Sequence, residues 1–202
     1  MKRRFFTALL AVMMIVSSMF LHGCGNNDLE ITDADAEKRL KELVPMSYEI
    51  NNIFFGEGLK ADDEAYKEQH SGTFYCPVSE ECGYDSIGQI KEAAEAVYAE
   101  SYLKEVYVAA FEGMVTQSED EGVDSSYSAR YKEINGVLCV NISAQSLPIR
   151  DKMTVKSAKV IEKTPQYVKC EAKVEYSDGA EESVEFSLTC EGDVWLLYAP
   201  TY

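Results

Sequence analysis

The chain has 202 residues, with 19 Lys+Arg against 35 Asp+Glu, a formal net charge of -16, six Cys and two His. That length suits one domain plus a targeting segment, and 46% hydrophobic against 27% charged residues is too apolar for a disordered chain. The acidity argues against a nucleic-acid binder, which needs a basic face to displace counterions, and two His with no dense Cys/His cluster leave little room for a zinc enzyme or a His-based triad.

Lys2, Arg3 and Arg4 form a basic start, and Phe5 to Leu21 runs apolar apart from Thr7, Ser17 and Ser18. The run ends in Leu21-His22-Gly23-Cys24. This is the layout of an export signal. The apolar run also approaches the length of a membrane span, so a retained anchor helix is the competing reading. The tetrad resembles the lipobox of bacterial lipoproteins, with His22 departing from the small or β-branched residue usual at its place. The resemblance implies that residues 1–23 are a removed signal peptide and that Cys24 is diacylated on sulfur as the mature N-terminus. It also implies a location on the extracytoplasmic face of the cell membrane. Residues 24–32 then form a lipidated N-terminus and short linker, and residues 33–202 a single domain. Removing three positive charges and no acid takes -16 to -19. Anionic headgroups repel so acidic a surface, so the lipid does the tethering; basic proteins are better partners than acidic polymers, and no nucleic acid is expected.

Helix signals come first in the domain. Asp33 and Asp35 precede a charged stretch with Leu40, Leu43 and Val44 on one face, and Pro45 is expected to kink or end it. A second stretch carries Tyr48, Ile50, Ile53 and Phe54 up to Gly56. Residues 59–85 are the least regular, with one short strand expected near Thr73-Phe74-Tyr75 inside a long loop. Ser86 and Gln89 fit a capping box opening a helix with Ile87, Ile90, Ala94, Val97 and Tyr98 at helical spacing. Ser101 is placed to cap another, with Leu103, Val106, Tyr107, Ala110 and Phe111, ending at Gly113.

The period then changes to two. Asn135-Gly136 between the segments Tyr131 to Ile134 and Val137 to Ile142 predicts a hairpin. Strands follow from Met153 to Ile161, from Val168 to Tyr176, from Val184 to Cys190 and from Val194 to Tyr198, with turns at Ser177-Asp178-Gly179 and Gly192-Asp193. The expected class is α+β, with N-terminal helices packed on a curved antiparallel meander.

With Cys24 given to lipid, five thiols remain, and export permits disulfides. Cys76 and Cys82 share one loop and are candidates to clamp it. Cys170 and Cys190 both face the core; if Tyr176 pairs with Val184 they stand opposite and can bridge, whereas a tighter turn leaves them diagonal and merely buried. Cys139 reads as a free core thiol. His70, the one His beyond the signal, would have to pair with Cys76 for nucleophilic catalysis, yet no cysteine-protease pattern surrounds Cys76. The acidic runs Asp62-Asp63-Glu64 and Glu119-Asp120-Glu121 lack a calcium-loop spacing and read as solvated loops. No catalytic residue, metal ligand or cofactor site is therefore assigned. Thirteen Tyr is a high count, and Tyr66, Tyr75, Tyr84 and Tyr127 fall in loops or at element ends, where a rigid ring with a polar tip serves partner binding. Tyr198 and Tyr202 are placed similarly.

Helices followed by a meander ending in Gly192-Asp193-Val194-Trp195 resemble the cystatin-like or nuclear-transport-factor-like cone fold. Residues from about Asp85 to Tyr202 resemble the secreted inhibitors of cell-wall DL-endopeptidases of Gram-positive bacteria. The helix pair Ser86–Gly113, the strand Ser157-Ala158-Lys159-Val160-Ile161, the acidic hairpin after it and the Trp195 strand carry that likeness. It implies a non-enzymatic binding module, tethered by its lipid, that restrains a wall hydrolase by occlusion. The alternative is a small-ligand-binding or sensing lipoprotein using the concave face of the sheet.

Overall fold

Thr32 opens the longest element. Its hydroxyl accepts the Asp35 N–H (3.2 Å), and Asp35 Oδ2 accepts the Thr32 N–H (3.2 Å), a reciprocal cap that starts α1 (Asp33–Phe54). The structure, a computed structural model, describes residues 31–68, 74–116, 125–148 and 151–201. Helix α1 runs unbroken through Pro45, where the sequence predicts a kink or a stop. Pro45 lies on the exposed side, so the carbonyl it leaves unbonded faces water. Leu40, Leu43, Val44, Ile50 and Ile53 carry one buried stripe past it.

After α1 come α2 (Asp63–Glu68), β1 (Tyr75–Pro77) and a 3-10 turn at Glu80–Cys82. Then follow α3 (Ile87–Glu95) and α4 (Glu100–Tyr107), whose last turn widens into a π turn at Val108–Glu112 before Gly113. Ser86 Oγ accepts the Gln89 N–H (3.4 Å), but Gln89 Oε1 takes the Asp85 N–H (2.9 Å), so the expected box closes one residue early. Helix α4 starts at Ala99, with no side-chain cap from Ser101. The strands are β2 (Met114–Thr116), β3 (Ser125–Tyr127), β4 (Tyr131–Ile134), β5 (Val137–Asn141), β6 (Met153–Lys163), β7 (Tyr167–Tyr176), β8 (Glu181–Glu191) and β9 (Val194–Leu197).

Asn135 (φ 54°) and Gly136 (φ 80°) make the predicted two-residue turn between β4 and β5. The hairpin does not run on into the meander. It pairs with β1 in the order β1-β5-β4, while β6-β7-β8-β9 form a separate antiparallel sheet and β2-β3 a ribbon. The class is α+β, as expected, with two antiparallel sheets in place of one. On β7, Val168, Cys170, Ala172 and Val174 are fully buried while Glu171 and Lys173 are exposed. That buried face packs with α1 in one core. Asp33 Oδ1 accepts the Val160 N–H (2.8 Å) at one end of β6, and the Tyr48 hydroxyl accepts the Met153 N–H (2.7 Å) at the other. Helix α1 therefore runs antiparallel to β6 along the inner face of the large sheet.

The small sheet joins the far end of α1. The Arg130 guanidinium, nearly buried, donates to the carbonyls of Gly56 and Gln145. The Tyr131 hydroxyl donates to Ile53 O (2.8 Å) and accepts the Leu59 N–H (2.9 Å). Gly58 (φ 80°) fits between them, since a Cβ there would stand 2.8 Å from Arg130 Nη2 and 2.9 Å from the Tyr131 hydroxyl.

The turn after β7 is the tighter of the two considered: Cys170 pairs with Phe186, and Cys190 with Trp195. Positions 186 and 190 are about 13 Å apart along β8, beyond disulfide reach. The conditional Cys170–Cys190 bridge thus fails on register, and all five described cysteines are thiols.

Candidate functional site

Two polar features share Tyr98 in the α3–α4 link, one toward α1 and Thr201 and one toward α3, α4 and the end of β8. The first is buried. Ser47, Asn51, Tyr98 and Thr201 are each at most 3% exposed. Their protons fit one chain: Thr201 donates to Ser47 (2.6 Å), which donates to Val44 O (2.7 Å), Asn51 Nδ2 donates to Thr201 Oγ1 (2.8 Å), and Tyr98 donates to Asn51 Oδ1 (2.7 Å). Burial pushes the Tyr98 phenol up, so it stays neutral and donating at ordinary pH. This is a closed structural network with no open coordination.

The second is an open cleft of about 380 Å³ above it, lined by Lys91, Glu95, Tyr98, Glu100, Lys104, Tyr107 and Glu191. Its charges answer one another. Tyr107 donates to Glu95 (3.2 Å), Glu191 accepts the Glu100 N–H (3.0 Å), Lys104 pairs with Glu100 (3.3 Å), and the Lys91 ammonium sits 4.9 Å from the Tyr107 ring centre. Burial and the Glu95 carboxylate push the Tyr107 phenol up. The cleft thus holds Tyr107 neutral and hydrogen-bonded to Glu95. It offers both signs of charge to a zwitterionic or peptide-like group.

The outer face of the small sheet is of another kind. Ile134 and Val137 pair at the hairpin end and are 40% and 48% exposed. Tyr75, half-buried, lies with Asn141 opposite, and Lys132 sits 4.9 Å from its ring centre. Beyond the strand ends, exposed Phe74 accepts the N–H of exposed Ile142 (2.8 Å). Residues 57–95, which supply β1, carry ten acids against three Lys. Apolar side chains set in an acidic surround fit a protein partner with basic groups around an apolar centre.

Of the four tyrosines picked from sequence, the side chains of Tyr75 and Tyr84 are described. The Tyr75 hydroxyl donates to Ala129 O (2.6 Å) and that of Tyr84 to Glu49 (2.8 Å), so both polar tips are committed inside the domain. Tyr66 falls in α2 and Tyr127 ends β3; their side chains lie outside the described residues. Tyr198 stands out instead, 44% exposed and edge-on to Tyr167 with ring centres 6.1 Å apart.

Cys24, His70 and Glu119-Asp120-Glu121 fall outside the described residues. Cys76 is buried on β1, and burial, with Asp62 second, raises its thiol pKa, which disfavours a nucleophilic thiolate. Cys82 points its thiol at Lys60 O (3.6 Å). Among the described residues no group of three or more His, Cys, Asp or Glu stands together as for a metal ion, and no helix is long and apolar enough to cross a membrane.

The chain matches no family model and no curated protein.

Proposed function

We propose that this protein is a lipid-anchored, non-enzymatic binding module on the outer face of the cell membrane, and that its partner is a protein, with a cell-wall DL-endopeptidase the first candidate. One observation carries the choice of a protein over a small ligand. The inner face of the large sheet, where a cone-shaped fold would hold a ligand, is packed with α1: Val168, Cys170, Ala172, Val174 and Leu188 have no exposed surface. Among the outward faces, the small sheet presents exposed Ile134 and Val137 beside the Tyr75–Lys132 pair. A wall hydrolase with a basic rim would be blocked by occlusion, with no chemistry from the module.

The test is digestion of peptidoglycan by a purified DL-endopeptidase in the presence of the full-length protein. Digestion should stop near equimolar amounts, and Val137→Asp should restore it. Undiminished digestion at saturating module would refute the inhibitory reading. The small-ligand reading points to the 380 Å³ cleft, where it predicts thermal stabilisation by amino acids or short peptides.

A further inference from the structure

We infer that the end of the large sheet bearing the β6–β7 and β8–β9 turns docks on the lipid bilayer, so that the domain stands upright with its small sheet outward. The inference rests on the Cys24 anchor proposed above and adds an orientation to it.

The first argument is reach. Seven chain steps separate Cys24 from Ile31, which is buried in the domain. Fully extended, they span at most about 25 Å. Whatever surrounds Ile31 is therefore held within that distance of the headgroups. Ile31 lies at the start of α1 in a small groove shared with Lys38, Arg39, Val194 and Trp195. Arg39 Nε donates to Trp195 O (2.6 Å), and Asp33 accepts the Val160 N–H, so this end of the sheet and the anchor's exit point are one place.

The second argument is what that end exposes. The register puts Lys163 beside Val168, and Glu191 beside Val194, so both turns project from the same edge. They carry Val194 at 41% and Ile161 at 48% exposure, with Pro165 exposed between them and Trp195 half-buried behind. Apolar and indole groups at a protein's tip suit the headgroup layer. Lys38, Arg39 and Lys163 lie there with Asp35, Glu162 and Asp193, and Asp33, Glu42 and Glu191 keep this end acidic, so the contact forms through its apolar side chains on zwitterionic lipid.

The consequence is a direction. Helix α1 leaves this end and, at about 1.5 Å per residue over its 22 residues, delivers the small sheet roughly 33 Å further out. The face proposed for partner binding is thereby lifted clear of the headgroups.

Trp195 is the only Trp in the chain, which makes it a reporter of this contact. Full-length lipidated protein would be reconstituted into phosphatidylcholine vesicles with or without bromine high on the acyl chains. Bromine should quench Trp195 emission about twofold, and Val194→Asp should abolish most of that quenching while the protein still floats with vesicles. Because the contact is apolar, the quenching should not change when salt is raised. Protein that floats with vesicles but leaves Trp195 unquenched overturns the docking and spares the anchor. Protein that does not float overturns both.

Discussion

Thr201 ties together three buried side chains and is the acceptor for the Asn51 amide nitrogen. Its hydroxyl bonds Ser47 and Asn51 and lies 3.1 Å from the Tyr98 hydroxyl, on segments more than 100 residues away in the chain. Replacing it with the isosteric Val leaves Asn51 Nδ2 without its acceptor and should cost about 1–3 kcal/mol. Urea unfolding of Thr201→Val against the parent checks this, with Thr201→Ser expected near the parent. The titration of buried groups gives a second expectation. Burial raises Tyr98 and Tyr131, and pushes the Cys170 thiol from 9.0 to about 11 with Asp33 adding to it. A raised folded pKa means that the neutral form is favoured in the fold. The stability it confers is complete below the unfolded pKa and is lost as pH rises through the folded one. The urea midpoint should thus fall from about pH 9 to pH 11, and a midpoint unchanged over that range would contradict it. At this scale the sequence was only partly legible. Thirteen tyrosines are visible as letters, but whether a hydroxyl is committed, as at Tyr75 and Tyr84, depends on residues 54 and 35 positions away.

The elements show how local and distant information divide. The Asn135-Gly136 turn, the alternating β7 and β8, and the helix opened by Ser86 are written in spacing over a few residues, and the structure has them where spacing puts them. The pairing of β1 with β5 is not so written, because it joins an irregular loop to a hairpin 60 residues on. Pro45 was misleading for a physical reason, since its missing hydrogen bond falls on the wet side of α1, where water replaces it. Edges of the large sheet were also invisible from sequence. Strand β9 is closed by Val97 and Ala99, which exchange backbone hydrogen bonds with Leu197. Strand β6 is closed by a carboxylate: Asp33 takes the Val160 N–H. Removing it in Asp33→Ala leaves an open donor on an 11-residue strand, an invitation to edge-to-edge pairing. Light scattering after size exclusion should show more self-association in the variant than in the parent at equal concentration. Equal behaviour would mean that α1 shields the edge by bulk alone.

At the scale of the molecule, the reading is of an acidic domain with two ends. One end carries the start of α1, the two β-turns and the exit toward Cys24. The other carries the small sheet with its exposed Ile134 and Val137. Function follows from which way these ends face, and that depends on the fate of residues 1–24. The fold class was legible from hydrophobic period, because burying one face of each element leaves few arrangements. The partner-facing surface was not, because exposed apolar side chains are recognised only once the core that excludes them is known. The most direct measurement is the mass of the N-terminal peptide of the protein extracted from membranes. The account predicts a peptide beginning at Cys24 and carrying a diacylglyceryl group on its sulfur. A peptide that retains residues 1–23, or one that begins beyond Cys24 without lipid, would contradict it.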